Sequence, residues 1–191
     1  EPELSDALQK YLEDEGITIF VNAKSKSVRK ENNEIVVTFE IDGKQQEVRG
    51  EVLMFAVGKT PNTKDLDLEK AGVEINERQA IKVNDEMKTT ADHIWAAGDV
   101  IDKPLRLETT AGKEGSIAAE NVLRDTNRTM DYSAAPYAVF TTPNLAGVGK
   151  TDEEAVGGGL KCTCNTFPFE YVPKAAIINE TRGLVKIVAN N

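Results

Sequence analysis

The chain has 191 residues, enough for one ordinary domain or two small ones, and 40% hydrophobic against 29% charged residues permits a packed core. A net charge of −9 argues against nucleic acid, whose binding needs a basic face, and against docking on an anionic membrane. No apolar run approaches the ~20 residues that span a bilayer, no signal peptide is visible, and the two cysteines, Cys162 and Cys164, make no disulfide framework, so a cytoplasmic setting is the expectation.

Leu4, Leu8, Tyr11 and Leu12 share one helical face, with Pro2 near its start and Gly16 past its end. Ile17 to Val21 then reads as a strand. From Lys24 to Gly50 the signals are β: Ile35, Val37, Phe39 and Ile41 alternate, and Asn32-Asn33 and Asp42-Gly43 are turns, which together predict an antiparallel meander. Val52 to Val57 is an apolar run that reads as another strand and stops at Gly58. Leu66 to Gly72 predicts a short helical turn, and Ile81 with Val83 a short strand. Ile94 to Ala97 reads as a buried strand ended by Gly98, with Asp99 at its carboxyl end. In open α/β sheets ligands bind outside such strand ends, where a carboxylate accepts hydrogen bonds from a sugar-like hydroxyl; the plainer reading is an ordinary Gly-Asp turn.

Glu108 to Arg124 reads as a helix. Gly112 and Gly115 within it point either to tight helix packing or to close approach of another group. Its unpaired first N–H groups, at Leu107 and Glu108, stabilise negative charge on a neighbour. Lys113 and Glu114 read as a solvated pair. Asp131 to Pro136 is linker-like, Ala138 to Thr141 a strand, and Thr151 to Glu154 a capping box that opens a short helix. Lys161 to Phe167, Ala175 to Asn179 and Leu184 to Ala189 read as strands. Cys162 and Cys164 share one strand face and in principle hold one soft ion, but two ligands are too few for a closed site, so they read as packed residues and no metal ligand is assigned. The single histidine, His93, falls in a loop and receives no role.

Two segments carry a family resemblance. Thr89-Thr90-Ala91-Asp92-His93-Ile94-Trp95-Ala96-Ala97-Gly98-Asp99 resembles the second flavin-binding motif of the pyridine nucleotide-disulfide oxidoreductases, and Val52 to Thr63 resembles the segment where their chain leaves the nicotinamide domain, with Val57 for Thr and Lys59 for Arg. The resemblance implies an α/β fold, turning α+β at the C-terminus: partial FAD/NAD(P)-binding domains followed by an α+β dimerisation domain. Residues 1–58 would end the NAD(P)-binding domain, 59–129 form the central FAD-contacting domain, and 130–191 begin a homodimer interface. Asp99, beside Gly98, would hold the FAD ribitol, the backbone of Leu107 and Glu108 the flavin's pyrimidine edge, and Val57 and Gly58 would face the nicotinamide cofactor.

Met130 to Pro143 and Phe167 to Ala175, followed by Glu180-Thr181-Arg182-Gly183, resemble the mercuric reductases within that family, which reduce Hg(II) to Hg(0) with NADPH through FAD and a cysteine pair. The alternatives are a dihydrolipoamide dehydrogenase and, from another class, a non-catalytic dimerisation module. The family's Cys-x-x-x-x-Cys does not occur in this sequence and no catalytic residue is assigned. The chain opens without Met and starts midway through the family's order, so it reads as an internal piece of a longer enzyme.

Overall fold

The computed structural model describes residues 1–190, which divide into two compact units: Pro2–Gly58, and Glu1 together with the chain from Lys59 onward. In the first unit, α1 (Pro2–Asp14) ends where the Gly16 amide donates to the Glu13 carbonyl at 2.9 Å and that of Ile17 to Leu12 at 3.1 Å. Gly16 takes φ of 90°, the left-handed conformation that closes many helices. The meander follows as expected: β1 (Lys24–Glu31), β2 (Glu34–Ile41) and β3 (Lys44–Gly50) pair antiparallel in that order. Val37 stands between Val28 and Val48, and the central strand buries Val36, Thr38 and Phe39. The Arg29 guanidinium grips Glu47 through two bonds of 2.9 Å and Glu31 at 2.7 Å, which holds both carboxyls below their usual range.

Two expected strands of this unit are absent. Ile17 to Val21 and Val52 to Val57 have no ladder partner among the described residues. Most of the apolar side chains from Val52 to Val57 stand open, Val52 at 87% and Val57 at 89% exposure, while Phe20 packs on the Phe39 ring. β-propensity alone does not make a strand; the ladder needs a second backbone to receive its hydrogen bonds.

The second unit opens with loops held by isolated pairings. A 3-10 turn, Leu68–Ala71, closes on Gly72 with φ of 73°, as the sequence predicts. The expected strands at Ile81–Val83 and Ile94–Ala97 are reduced to bridges: Ile81 with Ile101, Val83 with Thr89, and Lys88 with Trp95. Ile94 to Ala97 is half-buried rather than buried. Here side-chain and single backbone bonds replace a ladder: the Ala96 amide donates to Met87 at 3.0 Å, and the Ile94 carbonyl accepts from the Thr89 amide at 3.0 Å and the Thr89 hydroxyl at 2.9 Å. Helix α2 (Glu108–Arg124) spans the residues expected. Its Ile117 joins Met87, Ile101 and Met130 in a buried cluster, with Trp95, Val100 and Tyr132 packed at its edge. A second cluster gathers Val73, Ile81 and Ala91.

Beyond Met130 come a 3-10 turn (Tyr132–Ala134), a hairpin of β4 (Tyr137–Val139) and β5 (Leu145–Gly147), helix α3 (Asp152–Gly157), strand β6 (Cys162–Pro168), a 3-10 turn (Phe169–Tyr171), helix α4 (Pro173–Ile177) and strand β7 (Leu184–Asn190). β4 pairs with β5 and β6 with β7, each antiparallel. The capping box forms: the Thr151 hydroxyl accepts from the Glu154 amide at 3.1 Å, and the Glu154 carboxylate from the Thr151 amide at 2.9 Å. The stretch Ala175 to Asn179, expected as a strand, is instead mostly helix α4. Pro173 opens that helix, where its missing N–H costs nothing, and Ala175 is buried. No helix among the described residues is long and apolar enough to cross a membrane.

Candidate flavin-contacting site

The candidate site is built where the Gly98–Asp99 turn meets the start of α2. Gly98 adopts φ of 83°, a conformation that favours glycine, and a Cβ placed on it would lie 3.5 Å from that of Ala111 in the first turns of α2. The turn and the helix start are therefore direct neighbours, which the order of motifs along the sequence could not establish. Leu107 is the N-cap of α2 in an extended conformation, and no side chain caps the helix there. Its carbonyl takes the Ala111 amide at 2.9 Å. The first-turn amides at Glu108 and Thr109 thus sit at an exposed helix end that carries partial positive charge. Thr109, Thr110, Lys113, Met130 and Pro136 line a small depression beside this end.

Asp99 keeps its carboxylate accessible, with the side chain 45% exposed, and pairs with Lys59 Nζ at 2.8 Å. The Arg106 guanidinium donates to the Lys59 carbonyl at 2.7 Å and so ties the lysine's backbone to the segment that leads into α2. An exposed ion pair of this kind contributes little to stability. The Asp99 oxygen not held by lysine is available to a hydroxyl donor. Val57 and Gly58 belong to the other compact unit; Val57 is exposed and Gly58 takes φ of 113°.

The residue that organises the turn is Glu114, which the sequence places on a solvated helix face together with Lys113. Lys113 is exposed, but Glu114 is 1% exposed. Its Oε2 accepts from the Gly98 amide at 2.7 Å and its Oε1 from the Tyr132 hydroxyl at 2.7 Å. Burial and the neighbouring Glu114 carboxylate push the Tyr132 phenol well above its ordinary range. Lys103 lies over the Tyr132 ring, 5.8 Å from its centre, and pairs with Asp85 at 2.7 Å. Two helical turns further, Asn121 uses its whole amide: Nδ2 donates to the carbonyls of Glu86 and Arg128, and Oδ1 accepts from the Thr126 hydroxyl and the Arg128 amide. A Cβ added at Gly112 or Gly115 would meet nothing within 4 Å among the described residues.

The donor set fits a flavin dinucleotide. A reachable carboxylate suits a ribityl hydroxyl, and a helix N-terminus without a side-chain cap suits an anionic ring edge. Comparison with known proteins points the same way. The profile of "Pyridine nucleotide-disulphide oxidoreductase" matches residues 1–115, and that of the dimerisation domain of the same name matches residues 135–191. The mercuric reductase of Streptomyces lividans is 35% identical over 189 residues, covering 99% of this chain and 40% of the relative. The dihydrolipoyl dehydrogenase of Thermus scotoductus is 38% identical over 190 residues, covering 98% and 41%. Among solved structures, the HOCl-induced flavoprotein disulfide reductase RclA from Escherichia coli superposes with a TM-score of 0.84 at 33% identity, over 99% of this chain and 42% of that one. The chain spans about two fifths of the length of these relatives.

Proposed function

The chain belongs to the pyridine nucleotide-disulphide oxidoreductase family, and from that premise we propose that it forms part of an FAD-dependent, NADPH-using reductase that converts Hg(II) to Hg(0). Members of this family are flavoprotein oxidoreductases that use FAD and a nicotinamide nucleotide. The observation that carries the proposal is the juxtaposition of Asp99 with the start of α2, fixed through Glu114.

In this reading the chain would help to hold FAD, which when bound would supply two-electron redox chemistry between a nicotinamide nucleotide and a thiol pair. The chain's own residues do the holding. Asp99 accepts a hydrogen bond from the ribityl chain, next to Gly98, whose missing side chain leaves the turn its left-handed form. The amides near Leu107 and Glu108 would stabilise negative charge on the pyrimidine edge of a bound flavin. Val57 and Gly58 contribute to the nicotinamide side. Residues 1–58 would complete the NAD(P)-binding domain, 59–129 the FAD-contacting domain, and 130–191 the homodimer interface of a cytoplasmic enzyme. Exposed Ile177, Ile178, Val185 and Ile187 supply that last region with apolar surface to cover.

Mercury as substrate rests on the segments Met130 to Pro143 and Phe167 to Ala175 with Thr181-Arg182-Gly183. The second reading is dihydrolipoamide oxidation with NAD, favoured by the 38% identity to a dihydrolipoyl dehydrogenase. The two are separated by assaying the intact protein for NADPH-dependent release of volatile mercury and for dihydrolipoamide-dependent NADH formation. Mercury release without lipoamide activity is expected; lipoamide turnover without mercury release overturns the mercury assignment and leaves the flavin site standing.

A further inference from the structure

Away from the flavin-contacting turn, helix α3 and strand β6 bring together three groups, one from the helix and two from the strand. Cys162 and Cys164 sit on one face of β6, with their sulfurs 3.7 Å apart. Asp152, the first residue of α3, places Oδ1 3.4 Å from Cys162 Sγ, and one ligand atom from each of the three residues lies within 4.8 Å of the others. All three are half-buried, sheltered yet reachable.

We propose that Asp152, Cys162 and Cys164 form a binding site for one tetrahedral, thiophilic divalent ion of the Zn2+ class. The spacing is compatible with that geometry. At a Zn–S bond of about 2.3 Å and a Zn–O bond of about 2.0 Å, tetrahedral angles place two sulfurs about 3.8 Å apart and a sulfur and an oxygen about 3.5 Å apart. The observed 3.7 Å and 3.4 Å match both edges. An ion that takes two thiolates in line would need sulfurs about 4.6 Å apart at a similar bond length, which sets this pair apart from a two-coordinate site. Hard cations such as Mg2+ prefer oxygen donors and are disfavoured by the thiols.

The surroundings hold the carboxylate in place. Glu1 Oε1 accepts from the Asp152 amide at 2.7 Å, and Glu1 Oε2 pairs with Lys186 Nζ at 2.6 Å. Lys186, whose side chain is 5% exposed, stands 3.8 Å from Asp152 Oδ2, the oxygen not turned to Cys162. It orients the carboxylate, and Glu1 offsets its charge, so the cluster with both thiols ionised retains negative charge to meet a dication. Such outer partners commonly fix ligand orientation. On binding, both thiol protons pass to solvent and no electron is transferred. Three protein ligands leave the fourth position to water, the pattern of an open rather than a closed zinc site. The capping box that starts α3 at Thr151 fixes the direction from which Asp152 arrives.

The test uses the intact, reduced protein loaded with Co2+ as a spectroscopic stand-in for Zn2+, compared with a C162S/C164S variant and with Asp152→Asn. Wild type is expected to show a thiolate-to-cobalt charge-transfer band that the double variant loses while retaining its flavin. Asp152→Asn should keep the band but bind Co2+ measurably more weakly than wild type. In parallel, peptide mass spectrometry of wild type should show that Zn2+ protects Cys162 and Cys164 from alkylation. Equal labelling of both cysteines with and without Zn2+ overturns the proposal, as does a charge-transfer band that survives in the double variant at full intensity.

Discussion

Replacing Glu114 with alanine removes the acceptor of both the Gly98 amide and the Tyr132 hydroxyl, each at 2.7 Å, from a site that is 1% exposed. Each buried donor left without a partner costs about 1–3 kcal/mol. Relief of the carboxylate's own desolvation offsets part of that sum, so a net loss of about 2–4 kcal/mol is expected, a large share of the ~5–15 kcal/mol that holds a domain together. Glu114→Gln keeps one acceptor but turns an N–H toward the other donor, so it should fall between wild type and alanine. Tyr132→Phe removes one donor at about 1–2 kcal/mol. Because the two residues share a hydrogen bond, E114Q and Y132F should be non-additive, with a coupling of about 1 kcal/mol. Urea unfolding followed by fluorescence reads this directly, since Trp95 is the sole tryptophan and packs on the cluster around Ile117. If E114A and Y132F each stay within ~0.5 kcal/mol of wild type, as ordinary surface changes do, the argument that Glu114 braces the Gly98 turn fails.

The Tyr132 phenol titrates above its ordinary value, so the folded state holds this proton more tightly than the unfolded chain. Its contribution is intact below pH about 10, where the unfolded phenol ionises, and is lost as pH rises toward the folded value; Tyr132→Phe should flatten that alkaline loss in unfolding curves measured across the range. Gly183→Ala should destabilise by about 1–3 kcal/mol, because φ is 123° and a Cβ would come within 2.9 Å of the Phe169 ring; thermal melts should show a smaller loss for Gly159→Ala, at φ of 77° in open space. In the intact protein Asp99→Ala should weaken FAD retention by about 1.5–3 kcal/mol, the worth of a charged hydrogen bond; unchanged flavin affinity by equilibrium titration removes Asp99 from the site.

What the sequence makes legible is whatever neighbouring residues decide among themselves. The meander needs only alternation and two turns, and Asn32 and Asp42 occupy them with φ of 54° and 50°. Helix α2 needs only spacing, and α3 only its capping box. Strands whose partners lie elsewhere are another matter. Ile17–Val21, Val52–Val57 and Ile94–Ala97 have strand-like composition, yet no property of those residues records whether a second backbone lies beside them. Ala175–Asn179 differs for another reason. Five residues are too few to separate periods of 2 and 3.6, and Pro173 decides for a helix start.

Asp99 and the start of α2 are readable as a turn and a helix end; Glu114 is readable too, on a pattern that a polar/apolar reading passes over. The residues that α2 buries are Thr110, Glu114, Ile117 and Asn121. They follow one another by four, three and four, the spacing of a single helical face. Ile117 marks that face as inward, so the polar residues in step with it are inward as well, and a buried polar group must find partners. Glu114 and Asn121 do so by reaching loops that have no ladder of their own. Glu114 holds Gly98 and Tyr132, while Asn121 holds Glu86, Thr126 and Arg128. An apolar side chain at either position would bury as well and hold none of these partners. The half-polar face of α2 therefore ties these loops to the helix: it fixes the turn that presents Asp99, and through Tyr132 it anchors the chain entering β4 to the same carboxylate.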